Sequence, residues 1–181
     1  VSTCDLRLTQ SDLWPKYGNG DSDDALDNTD QRIHCDYPNH SLVHPPEWEN
    51  PEAVEIIIYL NDYDECEGAT AVVPRDGQSD PAYPWPIVQT PGVAGLDYVN
   101  DRDKAEAYMA EHNPEAADFR EKHLYARELV AEYKFGSVLF YRHDTWHRGR
   151  PVKANALRLV QNLTFTKIGC DWLNVLHPGS V

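Results

Sequence analysis

The sequence predicts a single mainly-β domain, a sandwich or jelly-roll, and three observations carry that expectation. Short runs rich in β-branched and aromatic residues recur along the chain and are stopped by Pro, Gly, Asn and Asp. A length of 181 residues suits one domain around one core. Only residues 101–126 carry apolar side chains spaced as on helices, and that stretch lies between strand runs.

The elements follow in order. Residues 1–30 begin with the alternation Cys4-Asp5-Leu6-Arg7-Leu8. The acidic, turn-rich Gly18-Asn19-Gly20-Asp21-Ser22-Asp23-Asp24 comes next and reads as an exposed loop. A calcium loop is the sharper alternative there, but the spacing lacks the glutamate that an EF-hand puts at its twelfth position. Residues 31–37, Gln-Arg-Ile-His-Cys-Asp-Tyr, read as a strand, and the four prolines between Pro38 and Pro51 mark a loop. Val54-Glu55-Ile56-Ile57-Ile58-Tyr59-Leu60 is the strongest strand signal. Asn61 to Gly68 reads as an acidic turn, and Ala69-Thr70-Ala71-Val72-Val73 as a strand stopped by Pro74.

Residues 77–100 are rich in Pro and Gly without a period. Ala105, Tyr108, Met109, Ala116, Phe119, Leu124 and Tyr125 then lie among charges and predict one or two amphipathic helices, broken near Asn113-Pro114. Long insertions of this kind often form lids or binding walls, so residues 77–126 are expected to wall the site. Strands resume at Glu128-Leu129-Val130-Ala131-Glu132-Tyr133, at Ser137-Val138-Leu139-Phe140-Tyr141 and at residues 157–165.

The formal net charge of −14 repels phosphate backbones and anionic lipid, so nucleic-acid and membrane-surface binding are not expected. Any anionic ligand must be captured by a locally placed Arg or Lys. No apolar run reaches the about 18 residues of a membrane span. Cys4, Cys35, Cys66 and Cys170 are widely spaced and form no CxxC pair, which predicts free thiols and a reducing, cytoplasmic setting.

His34 and Asp36 stand two apart on a predicted strand, so both point to one face. A third ligand must come from elsewhere, and His147 follows the strand ending at Tyr141. Two imidazoles and a carboxylate on one face of an octahedral ion leave three positions open, which suits Fe(II) binding O2 and a bidentate cosubstrate. Arg158 lies eleven residues beyond His147 on the next predicted strand. If that strand lies beside the iron site, its planar guanidinium can pair with the far carboxylate of 2-oxoglutarate.

These motifs stand in a telling order. His34-x-Asp36 precedes Glu67-Gly68-Ala69-Thr70-Ala71-Val72-Val73-Pro74. Gly136-Ser137-Val138-Leu139-Phe140, His147-Arg148-Gly149 and Arg158 follow. Across about residues 31–80 and 135–166 the chain resembles the phytanoyl-CoA dioxygenase family of Fe(II)/2-oxoglutarate oxygenases. The resemblance implies a double-stranded β-helix (jelly-roll, cupin-like) with a helical insertion. It implies His34, Asp36 and His147 as iron ligands and Arg158 as the 2-oxoglutarate anchor. It further implies Gln31 or Thr70 as cosubstrate contacts. The implied reaction oxidises a small or medium organic substrate with O2, releasing succinate and CO2. Related halogenases replace the carboxylate ligand by a small residue; Asp36 is retained here, which favours hydroxylation.

The chain departs from the family at Pro74-Arg75-Asp76-Gly77, where many members have Pro-Gly-Ser-His. It is also short, so an N-terminal part of the family fold is expected to lie outside this sequence. His143 competes with His147 as distal ligand; His147 has the family's spacing to Arg158. Arg142, Arg148 and Arg150 are readable either as contacts to an acidic substrate group or as salt-bridge partners. The competing functions are a jelly-roll binding module without turnover and a metal-dependent isomerase or hydrolase, which would not need Arg158.

Overall fold

The structure is a computed structural model that describes residues 5–18, 28–36, 51, 53–83 and 100–168. Its strands are β1 (Leu6–Tyr17), β2 (Ala53–Tyr59), β3 (Thr70–Val72), β4 (Leu129–Val130), β5 (Val138–Arg142), β6 (His147–Gly149) and β7 (Leu157–Lys167). Its helices are α1 (Tyr63–Cys66), α2 (Arg102–His112) and α3 (Pro114–His123), followed by a 3-10 turn at Tyr125–Arg127.

The strands form two antiparallel sheets, ordered β1-β7-β2-β5 and β4-β3-β6. The segment around His34 flanks β6 as an irregular fourth member. His34 and His147 exchange both backbone hydrogen bonds at 2.9 Å, and Gln31 N–H donates to the Gly149 carbonyl at 3.0 Å. The protein is thus mainly β, a jelly-roll of two sheets.

Alternation decides what lies between the sheets. Ala53, Glu55, Ile57 and Tyr59 of β2 are buried while the residues between them are half-buried. Arg158, Val160, Thr164 and Thr166 of β7 are likewise buried. Ile57, Tyr59 and Val160 meet Ala69, Tyr133, Tyr141 and Val152 in one apolar cluster. A second cluster joins Ile33, Cys35, Val73 and Trp146 to Leu124 and Tyr125, so the helical stretch packs behind the His34 segment. There the Arg120 guanidinium donates to the Ile33 carbonyl at 3.0 Å, and the Ile33 N–H donates to the Tyr125 hydroxyl at 3.1 Å.

The helix break falls at Asn113-Pro114 as the sequence predicts. Asn113 Oδ1 accepts from Ala116 N–H at 3.2 Å and Pro114 occupies the first turn, where a missing N–H costs nothing. Trp146 and Tyr59 are core residues, 2% and 1% exposed.

Four local expectations need correction. Residues 31–36 form two isolated bridges, at Gln31 and His34, rather than a continuous strand. The acidic turn after β2 contains α1, whose Glu65 carboxylate accepts from the Asp62 N–H at 3.3 Å. Of residues 128–133 only Leu129 and Val130 pair. The short alternation near the start is instead the 12-residue β1, paired along its length with β7.

Cys35 and Cys66 are buried thiols outside any disulfide, and no helix among the described residues is long and apolar enough to cross a membrane. The candidate calcium loop after Gly18, the proline-rich loop before Pro51, residues 84–99, Cys4 and Cys170 lie outside the described residues.

Candidate metal centre

His34, Asp36 and His147 come together at one end of the sandwich. One ligand atom from each lies within 4.8 Å of the others, an arrangement that can hold a metal ion. Asp36 Oδ1 lies 3.5 Å from His34 Nε2, and its Oδ2 lies 3.2 Å from His147 Nε2. The paired backbones of His34 and His147 set the two rings side by side, with centroids 4.6 Å apart.

Both imidazoles are oriented in the same way. His34 Nδ1 sits 2.9 Å from the Arg32 carbonyl, and His147 Nδ1 sits 2.9 Å from the Thr145 carbonyl. Each carbonyl lies two residues before its histidine. A carbonyl can only accept, so it fixes the proton on Nδ1 and leaves the Nε2 lone pair facing the partner ligands. The donor set of two imidazole nitrogens and one carboxylate fits a first-row divalent cation with open positions.

The electrostatics agree with that assignment. Burial, reinforced by the neighbouring His147, lowers the His34 pKa to about 4. Burial also opposes protonation of His147, but the charge and hydrogen bond of Asp36 outweigh it and push the pKa above the ordinary value. Burial works against ionised Asp36 as well, yet His147 and then His34 hold its carboxyl well below the usual range.

A cavity of about 430 Å³ opens beside the three side chains, within the about 300–1,000 Å³ typical of small-molecule sites. Arg158 lies on its wall and is 8% exposed. Its Nη1 donates to the Gly68 carbonyl at 2.6 Å, while Nε is buried with no hydrogen-bond partner. No carboxylate among the described residues pairs with it, and burial pushes its pKa down. A buried, always-charged guanidinium with unused donors fits an anionic ligand.

Two glycines make this wall. Gly68 has φ +68°, and a Cβ there would lie 2.6 Å from Val152 Cγ2, so only glycine turns this carbonyl towards Arg158 without strain. A Cβ at Gly149 would lie 2.8 Å from Gln31 Oε1, the atom that accepts from the Gly149 N–H at 2.8 Å. The Gly of His147-Arg148-Gly149 thereby gives Gln31 its place on the cavity wall.

Thr70 lines the same cavity. Tyr59 donates its hydroxyl to Thr70 Oγ1 at 2.9 Å and accepts from the Thr70 N–H at 3.2 Å, leaving the Thr70 hydroxyl proton for a ligand. All six residues singled out from the sequence therefore meet at one cavity.

Other candidates are placed elsewhere. His143 is fully buried with Nδ1 2.7 Å from Glu55 Oε1, not in the cluster with Asp36. Arg142 pairs with Asp144, and Arg148 with Glu128 and Asp30, which selects the salt-bridge reading for both. Of the helical insertion, Asn100 just before α2 reaches the cavity wall. Sequence reasoning missed Glu55, 1% exposed and on the cavity wall. The available signal was a carboxylate sharing the inward face of β2 with Ile57 and Tyr59.

No protein-family model matches the chain and no curated protein matches it. Solved structures do. The non-heme alpha ketoglutarate dependent carbocyclase SnoK from nogalamycin biosynthesis matches with a TM-score of 0.58 at 15% identity, over 96% of this chain and 55% of that one. The non-heme alpha ketoglutarate dependent epimerase SnoN from the same biosynthesis gives 0.54 at 14%, over 94% and 52%. The non-heme monooxygenase ThoJ, as its nickel complex, gives 0.53 at 9%, over 93% and 47%. At such identities the likeness is one of fold, and this chain spans about half the length of those proteins.

Proposed function

We propose that the chain is the jelly-roll domain of a non-haem Fe(II)- and 2-oxoglutarate-dependent oxygenase that oxidises a small or medium organic substrate with O2. The order of its motifs supports a phytanoyl-CoA dioxygenase-like member of that class. One observation carries the reading: a two-histidine, one-carboxylate cluster shares its cavity with a buried guanidinium that no carboxylate among the described residues neutralises.

In this reading His34 and His147 hold iron through Nε2, each ring kept in place by its backbone carbonyl. Asp36 supplies the carboxylate ligand and a compensating charge. Iron and the 2-oxo acid, when bound, supply the O2-dependent oxidation of a substrate C–H with release of succinate and CO2. Arg158 holds the far carboxylate of 2-oxoglutarate, which the protein's net charge of −14 would otherwise repel. Thr70 donates its hydroxyl to the same carboxylate, and Gln31 presents its amide beside it. Tyr141 packs its ring 4.9 Å from that of His147 on the cavity wall. Retention of Asp36 favours hydroxylation or a related oxidation over halogenation.

The test is anaerobic reconstitution. Fe(II) with 2-oxoglutarate should give the visible charge-transfer absorption of the chelate, and admission of O2 should release succinate, slowly even without substrate. Absorption without succinate across a broad substrate panel would favour a binding module lacking turnover. Full activity of Arg158→Ala in an assay independent of 2-oxoglutarate would favour an isomerase or hydrolase.

A further inference from the structure

The cavity has a second polar wall that none of these roles uses. Glu55 projects inward from β2 and is 1% exposed. Its two carboxylate oxygens accept from the Thr164 hydroxyl at 2.9 Å, and Oε1 lies 2.7 Å from His143 Nδ1. Asn162, on β7 opposite Ile57, lines the same cavity and has its Oδ1 buried with no hydrogen-bond partner. A buried acceptor left unpaired is unfavourable, so a ligand donor there would relieve it.

Register explains how the two ends of the cavity differ. Residues 158, 160, 162 and 164 share one face of β7. Along that face the wall passes from the Arg158 guanidinium, across Val160, to Asn162 and then to Thr164 beside Glu55. One end offers donors to an anion. The other offers acceptors, and an ionised carboxylate can only accept. The net charge of −14 favours the approach of a cation to that second end.

We propose that Glu55 and Asn162 form the substrate subsite of this cavity, and that it takes a hydrogen-bond-donating group of the substrate, a hydroxyl or a protonated amine. The proposal rests on the oxygenase reading for its consequence: the donor group anchors the substrate so that a neighbouring carbon lies over the metal centre. Carboxylates are sorted to Arg158 at the opposite end, so cosubstrate and substrate do not compete.

Ligand-observed NMR titrations with three probes of one shape test it: cyclohexylamine, cyclohexanol and cyclohexanecarboxylate, each with and without 2-oxoglutarate. The amine and the alcohol should bind and should not be displaced by 2-oxoglutarate, whereas the carboxylate should be displaced. Glu55→Gln and Asn162→Leu should each weaken cyclohexylamine about tenfold, which is about 1.4 kcal/mol. Should thermal melts show that Glu55→Gln does not fold, Asn162→Asp decides, since a second carboxylate should tighten the amine and not the alcohol. Unchanged amine binding in the Asn162 variants, or displacement of the amine by cyclohexanecarboxylate, overturns the subsite. Loss of 2-oxoglutarate binding with amine binding intact removes the oxygenase reading instead, and the reverse result removes the subsite alone.

Discussion

Each histidine of the triad is aimed by a carbonyl two residues before it, and burial together with the Asp36 carboxylate sets how each responds to protons. His34, with an ordinary pKa of 6.5, falls to about 4 in the fold. Below about 6.5 the unfolded chain takes up a proton that the folded chain resists, so stability should fall as pH drops from about 6.5 to about 4. His147 acts in the opposite sense. Its folded pKa is raised, so its contribution is fully present below 6.5 and fades as pH rises above that. The urea midpoint of metal-free protein should therefore drop between pH 6.5 and 4.5, and drop less in His34→Gln. An equal drop in both proteins would show that His34 is not the group responsible. Arg158 makes a separate case. Truncating one partner of a buried charge pair costs about 2–5 kcal/mol, so Arg158→Ala should weaken 2-oxoglutarate about 30-fold or more by calorimetry. The affinity for Mn(II) alone should stay within about twofold, because the Arg158 hydrogen bond goes to the Gly68 carbonyl and the arginine is not one of the three ligands.

Among the elements, the loop between α1 and β3 has a narrow tolerance. Gly68 combines a positive φ with a Cβ position 2.6 Å from Val152, and its carbonyl accepts the hydrogen bond of Arg158 Nη1. A non-glycine residue at positive φ costs about 1–2 kcal/mol before any clash. Gly68→Ala should lower the unfolding free energy by at least that much, read from denaturant melts, and weaken 2-oxoglutarate as well. Loss of stability with cosubstrate affinity unchanged would separate Gly68 from the site. The α2–α3 pair makes a similar demand on the other side. Arg120 is 2% exposed, pairs with Glu106 at 2.7 Å and donates to the Ile33 carbonyl beside His34. Removing one member of a buried pair costs about 3–5 kcal/mol. Arg120→Ala should therefore destabilise the fold strongly, and thermal melts check it.

The same elements explain what was legible in the sequence. β2, β5 and β7 announce themselves because each is a run rich in β-branched, aromatic or leucine side chains, whichever face those side chains occupy. β1 does not. Thr9-Gln10-Ser11-Asp12-Leu13-Trp14-Pro15 has no apolar alternation because it is an edge strand, mostly exposed, held by the ladder of β7 rather than by its own pattern. The triad was legible because HxD, the distal His and an Arg eleven residues further on stand in one order along the chain. The Glu55–His143 pair was not, since one member stands on β2 and the other in the turn after β5, and only folding joins them.

At the scale of the molecule, the proposed ligands join the two sheets. His147 and Thr70 belong to the three-stranded sheet, with His34 bridged to its edge, while Arg158 belongs to β7 at the heart of the four-stranded one. A metal ion alone would engage only the first sheet and its flank. A 2-oxo acid bound to both metal and Arg158 would span the sandwich. Ligands that bind only the folded state stabilise it by about 2.7 kcal/mol at a hundredfold excess over Kd. The expected pattern in hydrogen exchange is therefore stepwise. Mn(II) should slow exchange at the His34 and His147 amides, which bond each other's carbonyls. Adding 2-oxoglutarate under anaerobic conditions should extend protection to β7 and its partner β1. In Arg158→Ala the first step should persist and the second should vanish. Protection of both sheets by the metal alone, or a second step that survives loss of the guanidinium, would mean that the cosubstrate does not bridge the sandwich and that the coupling between sheets runs through the apolar core around Tyr59 and Val160 instead.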